Sequence, residues 1–265
     1  SVLEFQPRFA ALRQTLRVPR GSAVQSVAVE GTSCLFQTSS EVRLHPLSLE
    51  QVQLEASAAG PSSLSLELRL WNQARPESLD LARLRFYLHG DLTQVFGLYH
   101  ALRVDVDAIL AIPEGSGAPA WSLPLSLEPV GFAEGEELLP YPERSFPGYR
   151  LLQEYFALPQ KFLFVDVCGL DRLREVPAGE RFRIVIRFRR ALPPALRVTR
   201  EEIRLYCTPI ANLFPHEADP IRLDRTKTEY RLRPAGRDPL HYEVHSIDRV
   251  SAIRSDSGEE REIPS

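Results

Sequence analysis

The residues best suited to chemistry lie near the end of the chain, where His241 and His245 stand four apart in HYEVH with Glu243 between them. Two imidazoles and a carboxylate are zinc-ligand types. On a strand all three share a face, yet i to i+4 spans about 13 Å, too far for both histidines to hold one ion. On a helix the spacing would serve, but Pro239 and the β-prone surroundings oppose a helix there. The set reads as a solvated polar face. His216, Glu217 and Asp219 (HEAD) offer oxygen donors for a hard cation. Calcium prefers several oxygens on a shaped turn, usually with a glycine at the bend. Here Pro215 and Pro220 flank the motif and that glycine is missing, so it reads as a structural loop. Ser145, His241 and Asp166 supply the residue types of a hydrolase triad, but no GxSxG elbow surrounds any serine. No catalytic, cofactor-binding or metal site is assigned. The expectation is a non-enzyme with no cofactor, no stoichiometric metal and no small-molecule substrate.

Two further clusters bear on binding. RFRIVIRFRR at 181–190 sets Arg183, Arg187 and Arg189 on one parity, a basic stripe of the kind that meets phosphates. Acidic neighbours dilute it and no aromatics interleave for base stacking, so it reads as a solvated or protein-contacting edge. Phe146, Tyr149, Tyr155, Phe156, Phe162 and Phe164 fall within nineteen residues. One short helix and one strand need fewer aromatics than that for their own packing, so part of the cluster is either core or partner surface. Tyr149, Leu152 and Phe156, at spacings of three and four, are expected on one helix face packed against the run at 161–167.

The elements that must position these residues are mostly strands. With 22 prolines in 265 residues, short strands and turns are favoured over long helices. Leu64, Leu66, Leu68 and Leu70 share one parity, as do Leu84, Phe86 and Leu88, and Phe182, Ile184, Ile186 and Phe188. Residues 226–233 (TKTEYRLR) alternate likewise, and 161–167 (KFLFVDV) is the near-continuous apolar run of a strand covered on both faces. Asp91, with Gln94 three residues on, opens a helix; residues 103–107 alternate as a strand. Ser145 caps a second helix over 148–158 that ends at Pro159.

A break in periodicity over 112–129 suggests a boundary. The division is a helical segment at 1–17, a β-rich module at 18–125, a second at 126–254, and a polar linker at 255–265. The fold class is mainly β (β-rich α+β), as two β-sandwich-like modules with a few short helices. The net charge of −3 recruits neither nucleic acid nor anionic lipid. No apolar stretch of about 18 residues is present, so no membrane insertion is expected. Cys34, Cys168 and Cys207 form no disulfide framework; Cys168 and Cys207 read as small buried hydrophobes of a reducing compartment. The lack of methionine, including at position 1, suggests a segment of a longer chain.

FPGYRLLQEYF at 146–156, followed by KFLF at 161–164, resembles the signature of the TssF (VasA/ImpG) family, baseplate subunits of the type VI secretion system. TPIANLF at 208–214 with ADPI at 218–221, and YEV at 242–244 with IDRV at 247–250, are further matches in the same order. The similarity is strong over about 140–250 and looser over 18–108. It implies a structural baseplate wedge part, without catalytic chemistry, in the bacterial cytoplasm, docked at the inner membrane only through the assembled machine. It implies TssG and a second TssF copy as wedge partners, with TssK, TssE and the VgrG hub beyond. Phe146, Tyr149, Arg150, Tyr155, Phe156, Asn212 and Phe214 are the candidate interface or family-core residues. The competing reading is a carbohydrate-binding or carbohydrate-active β-sandwich protein, which needs an exposed aromatic platform beside paired carboxylates. Trp71 and Trp121 are the only tryptophans and neither sits among paired acids.

Overall fold

Strand alternation decides the architecture. The computed structural model describes residues 1–29, 31–56, 60–113, 123–141, 146–175, 179–224, 226–236, 241–254 and 256–263. They form two units, Ser1–Asn212 and Leu213–Ser265.

In the first unit the strands begin with β1 (Val2–Glu4), β2 (Leu16–Val18), β3 (Ala23–Val29), β4 (Thr32–Thr38), β5 (Val42–Leu44), β6 (Leu47–Glu55), β7 (Ser63–Leu70) and β8 (Arg83–Leu88). Helix α1 (Leu92–Val104) follows, then β9 (Val106–Pro113), β10 (Leu123–Pro124) and β11 (Ser126–Pro129). Helix α2 (Pro147–Ala157) precedes β12 (Phe164–Cys168), β13 (Arg181–Phe188), β14 (Ile203–Leu205) and β15 (Cys207–Ala211).

Two sheets carry the core. One runs β10-β9-β13-β7-β6, the other β11-β12-β8-β14, with neighbouring strands antiparallel in both. Their inner residues, among them Leu66, Leu68, Phe182, Ile184, Phe86, Leu88, Val165 and Val167, join one buried cluster. Each such side chain contributes about 1.5–3 kcal/mol by leaving water. β12 is buried on both faces as its apolar run requires. A third sheet, β1-β15-β4-β3, and the pair β2-β5 complete the unit. Asp91 accepts from the Thr93 and Gln94 backbone N–H groups and so starts α1.

The β-rich α+β class holds, but the two-module division does not. β13, from the second half of the chain, lies between β7 and β9 from the first, and β12 lies beside β8. Pairing is non-local, and a turn-rich stretch marks a crossing between sheets as readily as a domain boundary. The expected helix at 1–17 is instead β1, a 3-10 turn at Phe9–Ala11 and β2. Pro7 denies a helix its hydrogen bond, whereas the β15 edge accepts Val2, Leu3 and Glu4. α1 runs through Val104, past the expected start of a strand at Arg103.

In the second unit no described residue is buried. β16 (Val250–Ile253) pairs with β17 (Glu260–Ile263), so the presumed linker at 255–265 holds a strand. Residues 226–233 are not a strand: their alternation leaves Tyr230 and Leu232 half-buried, with no ladder partner in the described residues.

Between β5 and β6, His45 is 1% exposed, its Nδ1 2.9 Å from the Thr15 hydroxyl. Burial pulls its pKa down from 6.5 to about 4, opposed by the charge of Asp80 and assisted by that of Arg43. The unfolded chain therefore takes up this proton first as pH falls. Stability is complete above pH 6.5 and drains toward pH 4, a linked loss of roughly 2 kcal/mol by pH 5. Urea unfolding at pH 7 and pH 5 should show that loss, and His45→Gln should flatten the slope across this window.

Candidate functional site

Helix α2 is mounted with its charged side inward. Pro147 sits in its first turn, where a missing N–H costs nothing, and Pro159 follows its last turn. Around an α-helix, Tyr149, Leu152 and Phe156 fall on one side, and Arg150 and Glu154, four apart, on the other. The charged side is the buried one: Arg150 is 5% and Glu154 7% exposed, while Phe156 is 82%, Phe146 68% and Tyr149 65% exposed. Leu152 and Tyr155 are exposed as well. The expectation that Tyr149, Leu152 and Phe156 pack on the 161–167 run is thus corrected, and the aromatic cluster divides. Phe162 and Phe164 are core; Phe146, Tyr149, Tyr155 and Phe156 face out.

The inversion depends on partners for the buried charges. Arg150 Nη1 pairs with Glu137, and Nη2 donates over 3.4 and 3.3 Å to the carbonyls of Phe132 and Ala133. Glu137 also receives Arg20 at 3.3 Å. Glu154 accepts the Leu138 backbone N–H at 2.7 Å and pairs with Lys161, itself 3% exposed. Burial draws the Lys161 ammonium below its ordinary pKa, with Glu154 opposing the shift. Burial acts to raise Glu137, but hydrogen bonds from the backbone and Arg20, with the charge of Arg150, outweigh it and hold the carboxyl below its ordinary value.

The loop that brings Glu137 and Leu138 into place is itself fastened. Glu136 accepts the N–H groups of Gly131 and Ala133 at 2.7 and 3.0 Å. Gly131 (φ 101°) passes so close to the Lys161 carbonyl that a Cβ would sit 2.9 Å from it. Behind it, Arg85 grips Asp166 through two hydrogen bonds of 2.8 and 2.9 Å.

The other sequence candidates stay apart. Asp166 is taken by Arg85, and Ser145 lies outside the described residues. His241, Glu243 and His245 are exposed and not in a strand, and His216 Nε2 lies 2.8 Å from the Ala235 carbonyl oxygen. Among the described residues no three His, Cys, Asp or Glu side chains converge. Burial pushes the Cys168 thiol up to about 11 and Cys207 to about 12, so neither is a thiolate at neutral pH. Trp71 stacks on Phe9 and lies under Arg69, an occupied ring rather than a sugar platform; Trp121 lies outside the described residues. Asn212 is exposed at the end of the first unit. In the second, Phe214 meets Tyr242 edge-on at 5.9 Å. Sequence reasoning missed the anchors Glu137, Glu154 and Lys161, although the i, i+4 charged pair opposite an aromatic stripe was readable.

The profile of the family described as "Type VI secretion system, TssF" matches residues 1–265. The chain belongs to the TssF family. It is 34% identical over 263 residues to "Type VI secretion system component TssF1" of Pseudomonas aeruginosa, covering 92% of this chain and 42% of that one. A chain in the cryo-electron-microscopy structure of the TssK-TssF-TssG baseplate subcomplex of the type VI secretion system matches with a TM-score of 0.84 at 31% identity. That match covers 96% of this chain and 48% of the other. This TssF-family chain therefore spans less than half the length of these relatives. No helix among the described residues is long and apolar enough to cross a membrane.

The inverted helix makes a split prediction for this TssF-family chain. Phe156→Ala and Tyr149→Ala should each change unfolding stability by less than about 0.5 kcal/mol, as exposed positions do. Glu154→Ala should cost about 3–5 kcal/mol by stranding Lys161 in the interior. Replacing both Glu154 and Lys161 by Met should restore most of that loss. Urea denaturation of the four variants checks it.

Proposed function

We propose that this chain is a structural part of the type VI secretion baseplate, working through protein contacts and not through catalysis. One observation carries the reading: α2 turns Phe146, Tyr149, Leu152 and Phe156 to solvent while burying its own charges. Exposed aromatics in one uncharged face are the composition of interface centres. The five outward side chains, including Tyr155, offer roughly 500–600 Å² of apolar surface, a large share of the ~800 Å² each partner gives to a standard interface.

The family and the related subcomplex support TssG and TssK as the partners, and a second TssF copy in the same wedge follows by family resemblance. TssE and the VgrG hub follow by family resemblance, as do a cytoplasmic setting and contact with the inner membrane only through the machine. The sheets of the first unit hold α2 at a fixed angle, and the proposed role is geometric.

The test is reconstitution of the intact protein with TssG, with and without TssK, followed by light scattering. A complex should form at low micromolar concentration, and Tyr149→Ala with Phe156→Ala should weaken it at least ~30-fold, as hot-spot side chains do. Absence of any complex between folded proteins overturns the baseplate reading. A complex indifferent to both substitutions overturns the role of α2 alone.

A further inference from the structure

The segment that carries Glu137 and Leu138 to α2 is gripped from two sides. On one side stand Arg150 and Glu154 of the helix. On the other stands the turn between β2 and β3, strands that lie in the β2-β5 pair and the sheet β1-β15-β4-β3 and in neither core sheet. Thr38, 2% exposed, builds that turn. Its carbonyl accepts the Gly21 N–H at 2.8 Å. Its hydroxyl accepts the Ser22 N–H at 3.0 Å and donates to the Pro19 carbonyl at 2.9 Å. Gly21 has φ 80°, a left-handed conformation that glycine enters without strain. The backbone at Arg20 is fixed by these bonds, and its side chain crosses to the distant segment. Nη1 donates to the Gly135 carbonyl at 2.5 Å and to Glu137 Oε2 at 3.3 Å; Nη2 donates to the Glu137 carbonyl at 3.0 Å. Ser39, next to Thr38, donates its hydroxyl to the Leu138 carbonyl at 3.3 Å.

We propose that Arg20 is a positioning residue for the α2 face, holding Glu137 where Arg150 meets it. The division of the Glu137 carboxylate carries the inference. Oε1 takes Arg150 and the Gly135 N–H, while Oε2 takes Arg20. Arg20 also holds the backbone of the same residue, so the direction of the carboxylate is set before Arg150 reaches it. Glu136 fastens the segment only upstream, at Gly131 and Ala133. Three acceptors shared between two nitrogens need the planar guanidinium fork, which a lysine ammonium does not offer. The Arg20 side chain is 42% exposed, and ion pairs in such a setting add little to overall stability. Its effect is local, on the segment and through it on the helix. The turn at 19–22 and the α2 face thus act as one unit. The consequence for binding rests on the proposed role of α2 as a partner surface.

Arg20→Gln and Arg20→Lys in the intact protein, with fluorotyrosine placed at Tyr155, test this. The Tyr155 ring lies 6.2 Å from that of buried Phe162, so its fluorine resonance reports how α2 sits on the core. The unsubstituted protein should give one resonance. Both variants should shift or split it, while their urea unfolding stays close to that of the unsubstituted protein. The second readout is a mutant cycle on the complex with TssG. Arg20→Gln should weaken that complex roughly 5–10-fold, and the loss should vanish once Tyr149→Ala and Phe156→Ala are in place. An unchanged resonance in Arg20→Gln overturns the proposal whatever TssG does. A binding loss that adds in full to that of the aromatic variants also overturns it, since Arg20 is then a direct contact or a general support. Recovery of the original resonance in Arg20→Lys does the same by reducing Arg20 to a charge. A changed resonance with no complex in any form of the protein leaves the role of Arg20 standing and overturns the baseplate reading instead.

Discussion

Two buried charges on α2 can lie inside the protein only because opposite charges meet them there. An uncompensated charge in the interior costs several kcal/mol, whereas each aromatic left in water forgoes about 1.5–3 kcal/mol. Arg150 with Glu137, and Glu154 with Lys161, offset the first penalty and leave the aromatic surface in water. Without Glu137 and Lys161, Arg150 and Glu154 would be left as uncompensated charges in the interior.

Those partners are placed by the sandwich. Alternating leucines and phenylalanines fix β8 beside β12, which brings Arg85 opposite Asp166 on the opposite face from Phe86 and Val167. That ion pair lies within 3.9 Å of Glu136, whose carboxylate ties down the turn at 131–133. The same loop then presents Glu137 to Arg150 and the Leu138 N–H to Glu154. A continuous physical path thus leads from hydrophobic burial in the sheets to the exposed aromatic face. The two are coupled through charge and not through direct apolar packing.

Much of this was legible in the residues and some was not. Period-two runs placed β7, β8 and β13, and Asp91 placed the start of α1, because those signals are local. Which strand lies beside which is not local. β13 enters between β7 and β9 from more than sixty residues away, and its pattern is the same beside any apolar neighbour. The 226–233 alternation misled for the complementary reason: a period of two permits a strand, but only a partner edge makes one. At the site, spacing gathered Tyr149, Leu152 and Phe156 on one side of a helix without saying which side faces inward. The deciding information lay in Glu137 and Lys161, one thirteen residues before Arg150 and the other seven after Glu154.

A helix anchored by ion pairs differs from one anchored by apolar packing in what it offers a partner. Apolar anchors slide, since leucine against leucine has many near-equal registers. The bonds of Glu154 to the Leu138 N–H and Lys161, and of Arg150 to Glu137 and two carbonyls, are directional. They fix both the rotation of α2 about its axis and its position along it. The aromatic face is therefore held in one orientation, so a partner docking on it as proposed would find its side chains in need of little further ordering. In the proposed baseplate role, charges inward and aromatics outward place rigidity in the support and affinity at the surface.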